Sequence, residues 1–246
     1  MSRIAAVTFD FWWTLFQDDT ASGVADNWRL DHVQAALAAA GHGVQRERLR
    51  AAIQAQRLYG LRVQEERGEE WAPEAQVRGW LAALRLPESL FAAVYTPYIS
   101  PYTQLTLPLM PGAMETVQAL AGRYKLGVIC NTGSTPGTVL RQLLERTGLA
   151  PHFSVQTYSN EEGLAKPRPE IFLRTLARLG VPSEAVVHVG DNGGTDVAGA
   201  RAAGLGAVWL RSHPAAVPPP PGQALATITG LNELPPLLDR LSTHIL

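Results

Sequence analysis

Intramolecular disulfides are excluded at the outset, because the 246 residues contain one cysteine, Cys130. A lone thiol fits a reducing compartment, so a cytoplasmic setting is expected. Net charge is nearly absent too: 21 Lys and Arg stand against 22 Asp and Glu, giving −1. No global positive field therefore draws in nucleic acid or an anionic membrane, and neither is expected as a partner. Long hydrophobic runs are also missing. No stretch approaches the roughly 18–20 apolar residues of a membrane helix. The opening run Ile4–Phe9 is short and ends at Asp10, which is not the pattern of a signal peptide. The six His residues are scattered, without the close pairing of a zinc site. There are no internal repeats. What is present is ordinary for a folded chain, with 46% hydrophobic and 17% charged residues. Such a chain forms one large domain, or a core with a smaller domain, and needs no covalent staples.

Ile4–Phe9 reads as a fully buried strand, being a short apolar run with polar flanks. Similar runs occur at Leu126–Cys130, Phe153–Tyr158, Ala185–Val189 and Gly206–Leu210. Between them lie helical patterns at Ala113–Ala121, Thr138–Arg146, Glu170–Leu179 and Val197–Ala203. Strands alternating with helices predict an α/β fold with a parallel, doubly wound, Rossmann-like sheet. The stretch from about Gln17 to Thr103 breaks that rhythm. Leu30, Val33 and Leu37 share one helical face, as do Leu49 and Ile53, and Val77, Trp80, Leu81 and Leu84. An all-helical insert at 17–103 is expected, leaving and rejoining the core near Phe16 and Pro111-Gly112, with 1–16 and 104–246 forming the core. The charged helix around Arg46–Arg67 reads as a solvated face, and Pro218–Pro221 as a stiff surface connection.

Four sites carry chemistry. Asp10 stands directly after the first strand, where ligands of open α/β sheets bind. His188-Val189-Gly190-Asp191 repeats that arrangement, and Asp196 follows where a helix starts. Three carboxylates at two strand ends suit one hard cation such as Mg2+; without it they would repel one another. Lys166 lies in Lys166-Pro167-Arg168-Pro169, whose prolines hold the backbone before a helix, so its ammonium can offset developing charge. Asn131-Thr132-Gly133 follows another strand and offers amides and a hydroxyl to an anion. Each signal has an everyday counterpart: an N-cap, a surface lysine, a turn. Their order along the chain is what makes them specific.

Asp10 with Thr14, Asn131-Thr132, Lys166, and Gly190-Asp191 with Asp196 resemble the four ordered motifs of the haloacid dehalogenase superfamily. The helical insert resembles that family's cap between motifs one and two. The resemblance implies a cytoplasmic Mg2+-dependent phosphatase acting on a small phosphorylated substrate. It implies that Asp10 is the nucleophile forming an aspartyl-phosphate, with Lys166 orienting it. Thr14, Asn131 and Thr132 would contact the phosphoryl group, with Cys130 an alternative to Thr132. Asp10, the Trp12 carbonyl and Asp191 would hold the metal, with Asp196 as a further ligand or an anchor. Most phosphatases of the family carry a second Asp as proton donor where this chain has Trp12, and an indole transfers no proton. A 2-haloacid dehalogenase also has an aromatic residue there, but resembles this chain less: it needs no Mg2+ and lacks the Gly-Asp pair. A non-catalytic phosphate- or protein-binding member would have little use for Asp10, Lys166 and Asp191. Arg57, Tyr59, Arg62 and Trp28 are candidates to face the substrate from the insert.

Overall fold

The computed structural model describes residues 4–17, 23–214 and 216–243. Residues 1–3, 18–22, 215 and 244–246, which the expected domain bounds include, lie outside the described residues. Strand β1 (Ala6–Phe9) is buried at every position. It is followed by β2 (Lys125–Cys130), β3 (Val155–Tyr158), β4 (Val186–Gly190), β5 (Gly206–Leu210) and β6 (Ala226–Ile228). They form a six-stranded sheet in the order β3-β2-β1-β4-β5-β6, and every pairing is parallel. The sequence reading has no counterpart for β6. Its three residues include one buried position, too little for a periodic signal.

Between β1 and β2 the chain is helical, with α1 (Val24–Ala39), α2 (Arg46–Arg67), α3 (Pro73–Ala83), α4 (Phe91–Ile99) and α5 (Pro101–Gln104). The core adds α6 (Ala113–Ala121), α7 (Gly137–Arg146), α8 (Ser159–Glu162), α9 (Pro169–Leu179), α10 (Ala198–Ala202) and α11 (Leu234–Thr243).

Alternate strand residues face opposite sides of a sheet. Val7, Phe9, Val128 and Val189 join Val117, Leu140, Leu144 and Leu238 in one apolar cluster. Ala6, Ile129, Val186 and Ala207 join Ile171, Phe172, Leu176 and Ala200 in another. Both faces are therefore covered by helices, which makes the sheet doubly wound. The helical stretch has its own cluster, including Leu30, Val33, Leu37, Leu49, Ile53, Val77, Trp80 and Leu81. The two chain crossings into it run side by side. Gln17 N donates to Pro108 O and Met110 N to Leu15 O, both at 2.9 Å.

The strand order reverses direction beside β1, with β2 and β3 on one side and β4, β5 and β6 on the other. Crevices open at the carboxyl ends of strands at such a switch point. Asp10 follows β1 and Asp191 follows β4, so both stand at that crevice.

Candidate active site

Lys166 is the centre of the site. Its Nζ donates to Asp10 Oδ1 at 2.5 Å and to Asp196 Oδ1 at 2.6 Å. Lys166 and Asp196 are 1% exposed and Asp10 5%, so this is a buried ionic cluster. The lysine backbone is fixed by the Asn131 side chain, which accepts from Lys166 N at 2.8 Å and donates to Lys166 O at 3.0 Å. Asp196 is locked as well: its Oδ2 accepts from Asn192 N at 3.0 Å and its Oδ1 lies 3.3 Å from His188 Nε2. It reaches the strand end because residue 190 is glycine, where a Cβ would sit 2.3 Å from the Asp196 carboxyl. The helix expected at Val197–Ala203 starts earlier, as a π-helical turn over Gly193–Val197 that runs into α10. This turn is what turns Asp196 back toward the strand.

The two carboxylates on one ammonium differ in fate. The Asp10 carboxyl is pushed up to about 7: burial raises it most, Lys166 pulls it down, and Asp196 and Asp191 add to the rise. Burial acts on Asp196 in the same direction, but Lys166 and His188 outweigh it and hold that carboxyl well below its usual range. Burial lowers the His188 pKa, which favours the neutral ring. Such a ring suits both its contacts if Thr8 Oγ1, 2.9 Å away, donates to Nδ1 and Nε2 donates to Asp196.

Asp191 completes an acidic set. Oxygens of Asp10, Asp191 and Asp196 lie within 4.8 Å of one another. Three carboxylates against one ammonium leave two negative charges, which one divalent hard cation would balance. Burial first, and then the like-charged Asp196 and Asp191, raise the Asp10 pKa; the donor set of three carboxylates fits a cation. Asp196 already accepts three hydrogen bonds from protein donors and serves better as an anchor.

A cavity of about 290 Å³ opens over this cluster, lined by Asp10, Lys166, Asp191, Asp196, Trp12 and Thr132 among others. Thr132 sits on the loop after β2, with its N donating to Ser159 Oγ at 2.9 Å. Cys130 does not line the cavity; it is fully buried, and burial pushes its thiol well up. Of the two alternatives at this strand end, Thr132 is the one that faces the cavity. Thr14 is fully buried and absent from the cavity wall. Its Oγ1 has no hydrogen-bond partner among the described residues.

The opposite wall comes from the helical stretch. Arg57, Gly60, Leu61, Gln64 and Glu65 of α2 line the cavity, spaced along one helical face. The charged helix is thus a solvated face over only part of its circumference, which corrects the sequence reading. Its polar stripe has no apolar periodicity to mark it as inward-facing. Of the four insert residues singled out in the sequence, Arg57 lines the cavity; Tyr59, Arg62 and Trp28 do not. Arg57 NH1 holds Asp26 at 2.5 Å, and Asp26 also binds Arg29 at 3.0 Å. Arg29 is 4% exposed and reaches across to Thr135 Oγ1 at 2.8 Å. Gln76 bridges in the same way, donating to Gly133 O at 3.0 Å and accepting from Ser134 Oγ at 2.8 Å. Arg29, Gln76 and His188 are residues that sequence reasoning missed. An arginine or glutamine on a helix gives no signal of which partner it will meet.

Pro218 and Pro219 are more than a surface connection. Their backbone lies against Gly193, where a Cβ would come within 2.2 Å of Pro219 N. The run therefore covers the turn carrying Asp196.

A model of the haloacid dehalogenase-like hydrolase family matches residues 4–204. The pyrimidine 5'-nucleotidase YjjG of Escherichia coli (strain K12) is 34% identical over 186 residues, covering 74% of this chain and 73% of that one. Among solved structures, a 2-haloacid dehalogenase from Pseudomonas syringae pv. Tomato DC3000 superposes with a TM-score of 0.73 and 27% identity, covering 97% of this chain and 99% of that one. A HAD phosphatase from Thermococcus onnurineus gives 0.65 and 25%, covering 96% and 98%. With an acidic cluster and a buried lysine gathered at the switch point of its sheet, this chain belongs to the haloacid dehalogenase-like hydrolases.

Proposed function

We propose that this chain is a Mg2+-dependent phosphatase of a small phosphorylated metabolite, working through an aspartyl-phosphate at Asp10. The observation that carries the reading is the convergence of Asp10, Asp191 and Asp196 within 4.8 Å around Lys166. Asp10, Asp191 and the Trp12 carbonyl would hold the cation, which would offset the carboxylate charge and that of the phosphoryl group. Asp196 anchors Lys166 and the Asn192 amide.

Asp10 then forms a bond to phosphorus as the bond to the leaving oxygen breaks. Lys166 keeps the Asp10 carboxylate oriented and balances charge on the phosphoryl oxygens. Thr132 and the Asn131 amide grip that group. Water hydrolyses the aspartyl-phosphate and frees Asp10. Trp12 lines the cavity where a proton donor would otherwise sit, and an indole gives no proton to the leaving group.

Residues 17–103 act as a cap over the core of 1–16 and 104–246. Support comes from α2, whose Arg57, Leu61 and Gln64 line the same cavity as Asp10. Closure would exclude water and bring these side chains, with Trp71 and Tyr102, to the leaving group. The likeness to a pyrimidine 5'-nucleotidase makes nucleoside monophosphates the first substrates to try. A cytoplasmic setting agrees with the buried free thiol of Cys130. Among the described residues no helix is long and apolar enough to cross a membrane.

A second reading, 2-haloacid dehalogenase, is favoured by the aromatic residue at position 12 and by the whole-chain likeness to an enzyme of that name. One experiment separates the two. Phosphomonoesters and 2-haloacids are assayed as a panel, each with Mg2+ and with excess chelator. Phosphate release that chelator abolishes is the expected result. Halide release unaffected by chelator would replace the phosphatase reading with the second one.

A further inference from the structure

The loop after β5 carries contacts that no motif accounts for. His213 Nε2 lies 2.9 Å from Asp191 Oδ2. The same ring stacks on Trp13, with centroids 4.4 Å apart and planes inclined at 26°. The neighbouring Ser212 Oγ donates to Trp13 O at 2.8 Å. At the end of the strand, Trp209 Nε1 donates to Asp191 O at 2.8 Å. Residues 209–213 thus grip both the backbone and the side chain of Asp191, and both the backbone and the ring of Trp13.

Trp13 is an unusual residue to find there. Its φ of 55° lies in the left-handed region, which a bulky side chain seldom occupies unless its surroundings impose it. The turn it makes follows directly on Trp12, the residue whose carbonyl the metal-dependent reading assigns to the cation. The His213 stack and the Ser212 hydrogen bond supply the imposing contacts.

We propose that His213 is a positioning residue of the cation site, orienting the Asp191 carboxylate and holding the Trp13 turn that presents the Trp12 carbonyl. The inference rests on the metal-dependent reading above. By engaging Oδ2, His213 fixes the orientation of the Asp191 carboxylate within the acidic set. An outer partner of this kind typically sets metal affinity by about 10–100-fold, because it fixes the ligand before the metal arrives.

Two variants separate the ring from its donor. His213→Phe keeps a flat ring to stack on Trp13 but cannot donate to Asp191. His213→Gln keeps a side-chain N–H but loses the ring. The measurement is Mg2+ binding to the substrate-free protein by titration calorimetry, with a thermal melt of each variant in chelator. His213→Phe should melt like wild type yet bind Mg2+ about 10–100-fold more weakly. His213→Gln should recover at least part of that loss. Wild-type Mg2+ affinity in His213→Phe would overturn the proposal. So would equal weakening in both variants, since a side-chain N–H restored at this position would then recover none of the loss. If His213→Phe does not fold, His213→Gln decides alone: binding within a few-fold of wild type supports the donor role, and a loss as large as that expected for His213→Phe overturns it. A wild-type protein that binds no Mg2+ at millimolar concentration would remove the metal-dependent reading itself, and the inference with it.

Discussion

The two walls of the cavity hold charge in different ways. On the strand-end wall, Asp10, Asp191 and Asp196 crowd around one ammonium, and the imbalance shows at Asp10, pushed up to about 7 by burial and by its like-charged neighbours against the pull of Lys166. On the helical wall, Asp26 meets two guanidinium groups. Burial would raise the Asp26 pKa, but Arg57 and Arg29 hold it below the usual carboxylate range. Gln76 there has both its amide groups in hydrogen bonds. The first wall is electrostatically incomplete, whereas on the second the Asp26 charge is balanced by Arg57 and Arg29. Incompleteness of that kind accompanies chemistry, whereas satisfaction accompanies positioning.

The largest expected effect is Asp10→Asn, which should lower phosphatase turnover by on the order of 10³ or more, since an amide is not a nucleophile. The fold should survive, because one of the repelling carboxylates becomes neutral. Retention of more than a few per cent of wild-type rate would show that the strand-end wall has been misread.

Next comes Lys166→Met. It strands Asp10 and Asp196 without their cation, and breaking a buried pair costs about 3–5 kcal/mol. A fall in Tm of roughly 10 °C should follow for a chain of this size. A melt within a degree or two of wild type would contradict the burial and ion pairing described for this cluster.

Glu70→Gln tests a titrating group supplied by the helical side. Glu70 Oε2 accepts from Gln64 Nε2 at 3.0 Å, and burial pushes the carboxyl up from 4.5 to about 7. A raised carboxyl contributes stability that is fully present below the unfolded value and lost as pH rises through the folded one. The variant should therefore match wild type near the unfolded value. It should become the more stable protein by roughly 1–3 kcal/mol above the folded one. Melting both across that range measures it; a constant difference would mean that Glu70 titrates normally.

Trp12→Asp should raise the rate on alkyl phosphates relative to aryl phosphates by about tenfold or more, because a poor leaving group gains most from a proton donor. An unchanged ratio in a well-folded variant would assign the proton to water or another side chain. The smallest effect belongs to Arg57→Met. Its ion pair with Asp26 is partly exposed, 25% and 39% for the two side chains, and such pairs are worth about 0–1 kcal/mol. A loss as large as that of Lys166→Met would erase the contrast between the walls.

Legibility in the sequence follows the same division. Strands β1, β2, β3, β4 and β5 are visible because parallel strands buried on both faces read as unbroken apolar runs. The residues just after them are visible in turn, since a strand end points at the crevice whatever lies across it. The α11 helix went unread, its first turn carrying Pro235-Pro236 after Leu234, and prolines mimic a loop. Of the α2 stripe that lines the cavity, Arg57 was legible as a candidate, but Gln64 and Glu65 look like solvent-facing residues.

By itself, then, the sequence determined strands β1 to β5, the helical insert and the placement of Asp10, Asn131, Thr132, Lys166, Asp191 and Asp196, because each follows from a run of neighbours in the chain. Only the tertiary structure decided that Asp196 anchors Lys166, that Thr132 rather than Cys130 faces the cavity, and that His188 and His213 stand behind the two carboxylates. Those outcomes depend on contacts between segments far apart in the chain, from Thr8–His188 to Arg29–Thr135. The packing of the sheet and its helices sets such distances, and no local pattern encodes them.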